Sequence, residues 1–144
     1  MISFTQNSVT VEIRLEGDEQ RGLVLAASFT PLEPGYHLYS KDLSRTGING
    51  AGRPTLLEIV TAGSGGLQAA GELAESVAAI PEVTEGFDEP FWVYPAGPVT
   101  LRLPVSRAPG MAPGAATELA FTYMTCSGAN CLAPVISKII SVNL

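Results

Sequence analysis

Ser8-Val9-Thr10-Val11-Glu12-Ile13-Arg14-Leu15 alternates apolar and polar side chains without interruption. Val9, Val11, Ile13 and Leu15 fall on one face, and Thr10, Glu12 and Arg14 on the other. A period of two with one polar face is a half-buried β-strand. Gly17-Asp18 marks a turn, and residues 23–30 (LVLAASFT) are predicted as a second, more evenly buried strand. Pro31 and Pro34-Gly35 end it, because proline donates no ladder hydrogen bond and glycine supplies turn conformations.

Outward from this pair the pattern recurs. Residues 36–39 (YHLY) form a short aromatic strand and residues 55–61 (TLLEIVT) another. Val99, Leu101, Leu103 and Val105 alternate with Thr100, Arg102 and Pro104, and Pro104 predicts a local sheet edge. Residues 117–125 (TELAFTYMT) and 135–143 (VISKIISVN) are the last two strands. Residues 41–53 have no period and are predicted as a long loop, 63–66 (GSGG) as a turn, and 108–116 as a Pro/Gly/Ala linker. Residues 80–90 form an acidic, proline-bounded loop before the aromatic cluster Phe91-Trp92-Val93-Tyr94. Residues 67–79 stay open: alanine and glutamate favour a helix, while Gly71 and the surrounding strands favour irregular β-structure. Seven or eight short strands punctuated by turns imply an all-β, immunoglobulin-like two-sheet sandwich. With no repeat and no interdomain linker, residues 1–144 are expected to form one domain.

Composition narrows the function. The 144 residues are 46% hydrophobic and 15% charged, the latter well below the usual ~25%. A mean hydropathy of +0.26 excludes intrinsic disorder. The net charge is −6, and the eight Lys and Arg are scattered, so no basic stripe exists to neutralise nucleic-acid phosphates. No apolar run reaches the roughly 18 residues of a membrane span. Residues 1–8 lack a basic n-region and an apolar h-region, so no signal peptide is predicted. The chain is then either cytosolic or the mature segment of a longer exported protein.

The chemistry rests on two cysteines. Cys126 and Cys131 are separated by four residues, including Gly128 and Asn130, and such a loop can bend far enough to bring the thiols within bonding reach. A ring this small adds little stability through loop entropy, unlike a bridge between sheets. The spacing suits a bond that opens and closes without disturbing the core. It suits equally a local structural disulfide or a pair of idle thiols. A soft metal set of Met124, Cys126, Cys131 and His37 is a third reading, suited to Cu(I) or Zn, but His37 is the sole histidine. One histidine in an aromatic strand makes no hydrolase triad. Glu82, Glu85, Asp88 and Glu89 read as a solvated acidic loop, and GSGG lacks the Lys and following helix of a phosphate loop. Phe91, Trp92 and Tyr94 are core residues or the parts of a lid.

Taken in order, PGYHLYSKD, DEPFWVY, TLRLPV and FTYMTCSGANCLAP resemble the N-terminal (alpha) domain of the thiol:disulfide interchange protein DsbD and the related disulfide bond corrector domains. The resemblance runs from about Val9 to Val142. It implies an immunoglobulin-like domain in the bacterial periplasm, the exported part of a membrane-embedded parent protein. Such a domain needs no cofactor. It takes reducing equivalents from a thioredoxin-like domain and passes them to periplasmic disulfide-containing proteins. Carried over, Cys126 and Cys131 become the redox pair, Cys131 forming the mixed disulfide and Cys126 resolving it. His37 and Tyr39 fall beside the pair, and Asp88 and Glu89 fall on the acidic residues of a capping loop. The family's shielding aromatic aligns with Pro90, which leaves Phe91 or Trp92 to take that part. Leu-Ala-Pro follows Cys131 where the family commonly has two prolines. Two other functions compete: an immunoglobulin-like binding module with an inert disulfide, and a copper-handling domain.

Overall fold

Asn7 and Ser8 both adopt left-handed backbone, with φ of 51° and 58°. That pair of conformations makes a two-residue hairpin turn whose twist matches its strands. It joins β1 (Ile2–Gln6) to β2 (Val9–Asp18), an element the sequence analysis does not assign. The computed structural model describes residues 2–60 and 66–144. Most of the GSGG turn and the end of the strand expected at 55–61 lie outside the described residues.

The strands that follow are β3 (Gly22–Pro31), β4 (His37–Leu38), β5 (Leu56–Ile59), β6 (Leu67–Ala69), β7 (Ala74–Glu75), β8 (Ile80–Glu82) and β9 (Phe91–Val93). They continue as β10 (Val99–Arg107), β11 (Ala116–Tyr123), β12 (Thr125–Cys126) and β13 (Val135–Asn143). The described residues contain no helix, and so none long and apolar enough to cross a membrane. All strand pairings are antiparallel. The large sheet runs β1-β2-β3-β10, with β6 and β7 on the far edge of β10, and the second sheet runs β13-β11-β5.

Alternation fills the space between the sheets. Val9, Val11, Ile13, Leu25, Phe29, Val99 and Leu101 of the large sheet meet Leu57, Leu119, Phe121 and Tyr123 of the other, all buried. Phe29 packs edge-on between Phe121 and Tyr123, with centroids at 6.2 and 5.9 Å. Burying each such side chain contributes about 1.5–3 kcal/mol. The outer face of the large sheet is polar and cross-linked: Glu16 accepts from Arg14 and from Arg102, each at 2.9 Å. Those guanidiniums, Arg102 first, hold the Glu16 carboxyl below its usual range.

Residues 67–79 form no helix; they supply β6 and β7, which pair with successive parts of β10. Pro104 falls in the gap between these two short strands, where its carbonyl accepts from the Ala70 amide at 2.8 Å and no donor is needed from its nitrogen, so the strand is interior at this point. Ile80–Glu82 is a strand paired with β9, so the acidic loop is shorter than expected and spans 83–90.

At Met124 the chain leaves the second sheet. β12 pairs with β4, Tyr39 bridges Val93 of β9, and β9 pairs with β8. One side of this small ladder adds Leu38 and Tyr94 to the main core. The other side builds a separate apolar cluster from Tyr39, Phe91, Val93 and Cys126. Period-two geometry alone separates Leu38 from Tyr39 in this way.

Candidate functional site

Cys126 ends β12 opposite His37, and a disulfide joins it to Cys131 with the Cα atoms 4.0 Å apart. The loop between them is a hairpin held by its own backbone. Ser127 N–H donates to the Asn130 carbonyl at 2.7 Å, and Leu132 N–H to the Thr125 carbonyl at 3.0 Å. Ser127 Oγ accepts from the amides of Ala129 and Asn130 at 3.2 and 3.1 Å. The two halves of the bond face different surroundings. Cys126 is 3% exposed, whereas Cys131 stands in solvent.

Aromatic rings wall the buried sulfur. Tyr39 Oη donates to Cys126 Sγ at 3.1 Å. Its ring meets Phe91 edge-on at 5.4 Å, and Phe91 meets Phe87 at 4.9 Å. Burial, and secondarily the Glu82 carboxylate, push the Tyr39 phenol above its ordinary value. Thr55 Oγ1 fixes the strand by donating to the Tyr39 carbonyl at 2.6 Å. Gly52 lies under these rings at φ +79°, and a Cβ there would come within 3.3 Å of both Tyr39 and Phe91. The loop that carries it is ordered despite its aperiodic sequence: the Arg53 guanidinium donates to the carbonyls of Thr46, Gly50 and Gly52.

A cavity of about 580 Å³ opens onto the disulfide, lined by Tyr39, Phe87, Phe91, Met124 and both cysteines together with Glu82, Val83 and Glu85. His37 is not on its wall. Its Nε2 lies 2.9 Å from a Glu82 carboxylate oxygen, off the line of a directed hydrogen bond, and its ring meets Tyr39 at 6.1 Å.

The capping loop is arranged differently from the expectation. Asp88 and Glu89 are exposed and do not line the disulfide cavity; Glu82 and Glu85 are the carboxylates on that side. Trp92 is 50% exposed and, with Glu89 and Pro90, lines a separate cavity of about 650 Å³ beside Asp42, Ser44 and Glu75. The cause is the β9 pleat: successive side chains point to opposite faces, so Phe91 turned inward obliges Trp92 to turn out. Phe91 is itself a buried core residue, and the partly exposed aromatic at the cavity is Phe87. The sequence signal for it is an apolar ring directly before Asp88-Glu89-Pro90. Met124 lines the same cavity as the cysteines, but no three His, Cys, Asp or Glu side chains among the described residues converge as metal ligands.

No family model and no curated protein matches this chain. Among solved structures it is similar to the N-terminal domain of DsbD from Neisseria meningitidis, crystallised in the reduced form. The TM-score is 0.55 with 16% identity, covering 95% of this chain and 86% of that one. The likeness establishes the immunoglobulin-like sandwich, and the solved domain comes from the family that the sequence motifs resemble.

Proposed function

We propose that this chain is a thiol–disulfide exchange domain of the DsbD N-terminal type, passing reducing equivalents through Cys126 and Cys131. The observation that carries this reading is the unequal exposure of the two bonded cysteines in a hairpin outside the main core. An incoming thiolate reaches the exposed Cys131 more readily than the buried Cys126, so the mixed disulfide forms at Cys131 and Cys126 is the leaving group. In the opposite direction, the Cys131 thiolate attacks a substrate disulfide and Cys126 resolves the adduct. The hairpin's backbone hydrogen bonds do not depend on the S–S bond, which suits a bond that cycles.

The donor in this scheme is a thioredoxin-like domain and the acceptors are disulfide-containing proteins of the bacterial periplasm, with the parent protein held in the membrane. Phe87 and Phe91 shield Cys126 on the side where small oxidants would approach, which protects reducing equivalents in an oxidising compartment. The residues assigned are Cys126 and Cys131 for exchange, Tyr39 beside them, and Phe87 with Phe91 as shield.

An equilibrium titration of the pair in glutathione buffers, read by alkylation and mass, tests the reading. A midpoint between about −180 and −270 mV is that of exchange proteins. A midpoint below roughly −300 mV is that of a structural bridge and transfers the case to a binding module with an inert disulfide.

A further inference from the structure

We infer that Tyr39 is a catalytic hydrogen-bond donor for exchange, its phenol holding the negative charge that develops on Cys126 Sγ when Cys131 is attacked. This rests on the exchange reading above and names a residue that acts in its chemical step. When a donor thiolate forms a bond to Cys131 Sγ, the Cys126–Cys131 bond breaks and its electron pair moves to Cys126 Sγ. Cys126 is 3% exposed as a residue, so the charge there is poorly solvated and gains from a protein donor. The Tyr39 O–H already points at that sulfur from 3.1 Å. A second donor thiol then attacks the donor's own sulfur in the mixed disulfide. Cys131 leaves as a thiolate, the donor dithiol is oxidised to a disulfide, and the pair gains two electrons, with two protons taken up as the thiolates equilibrate.

The surroundings keep the phenol in this position and in this state. Thr55 holds the Tyr39 carbonyl, Phe91 packs against the ring edge, and Gly52 leaves room beneath it. Burial and Glu82 both disfavour the phenolate, so the group stays a donor at neutral pH. A carboxylate in the same place would repel the leaving thiolate, and a phenylalanine would strand it in an apolar wall. The reverse step gains as well: the same hydrogen bond favours the Cys126 thiolate that resolves an adduct on Cys131.

The test uses the intact oxidised chain and its Tyr39→Phe variant, reduced by glutathione and quenched with N-ethylmaleimide. Peptide mapping identifies the sulfur that carries the adduct, and stopped-flow kinetics gives the rate. The expected result is glutathione on Cys131, maleimide on Cys126, and reduction of Tyr39→Phe slower by about tenfold or more, the usual worth of a hydrogen bond to charge. Equal rates with the adduct on Cys131 overturn the role of Tyr39 and leave the exchange reading standing. An adduct on Cys126, or no reduction even by dithiothreitol, overturns the exchange reading itself. A packing defect is separated by a second measurement. In Cys131→Ser, the Cys126 thiol titrates by its Cβ chemical shift, and adding Tyr39→Phe moves that titration to higher pH. A slower rate with an unmoved titration overturns the donor role.

Discussion

Phe87 and Phe91 meet edge to face, with ring centroids 4.9 Å apart and planes at 69°, across the turn that carries Asp88 and Glu89. Phe91 is 3% exposed and packs on Tyr39, while Phe87 is only partly buried at the cavity over the disulfide. The turn therefore sets one ring as foundation and the other as cover. The preceding turn is closed by the Thr84 carbonyl, which accepts from the Phe87 amide at 3.2 Å.

Removing the cover is expected to expose the reduced pair. Phe87→Ala speeds oxidation by small oxidants such as hydrogen peroxide several-fold with little loss of stability. Trp92→Ala, on the opposite side of the pleat, leaves that rate unchanged. Phe91→Ala removes the foundation and costs about 3–5 kcal/mol in urea unfolding. Equal oxidation rates for Phe87→Ala and the parent protein would rule out shielding by this ring.

Gly52 is the position where a single methyl group reaches the site. Its left-handed backbone and the nearby Tyr39 and Phe91 rings both oppose a side chain. Gly52→Ala is expected to destabilise by about 1–3 kcal/mol and to shift the aromatic resonances of Tyr39 and Phe91. A neutral substitution with unshifted resonances would show that the loop yields freely.

The disulfide contributes little to the fold. A ring this short is worth about 2 kcal/mol by loop entropy, against ~4.7 for a ring of 100 residues. Reduction, or Cys126→Ser with Cys131→Ser, is expected to lower the urea midpoint modestly and leave the β-sheet circular dichroism intact. Unfolding on reduction would instead make the bond a staple.

Tyr123 ties stability to alkaline pH. Its ring is 1% exposed, its hydroxyl donates to the Gln6 carbonyl at 2.8 Å, and burial pushes its phenol up to about 12. An acid whose folded pKa is raised stabilises fully below the unfolded value, here 10.0, and loses that contribution as pH climbs through about 12. Stability is thus expected to fall between about pH 10 and 12. Tyr123→Phe flattens that limb at the cost of one hydrogen bond, about 1 kcal/mol at neutral pH. An unchanged alkaline limb would assign the loss elsewhere.

The division between sequence and structure follows the range of the interactions. Alternation in Val9–Leu15 and Val99–Val105 is local, because a strand's period of two is a property of its own backbone, and both segments are strands as read. Turn chemistry is local as well, and the close cysteine pair after an aromatic strand pointed to the site. β1 escaped because its signal is an Asn-Ser turn in left-handed backbone rather than a glycine. The side on which each aromatic falls was not local. Phe91 and Trp92 are adjacent and chemically alike, and only the pairing of β9 with β8 and with Tyr39 decides which turns to the sulfur. The same holds for Asp88 and Glu89, which lie away from the cavity that Glu82 and Glu85 line: Ile80–Glu82, read as loop, is a strand paired with β9. By itself, then, the sequence determined an all-β sandwich and a bonded-distance cysteine pair, since these depend on periodicity and spacing. Tertiary structure decided that Cys126 is buried against Tyr39 and that Cys131 is exposed, since burial is set by residues brought together from 39, 52, 87 and 91.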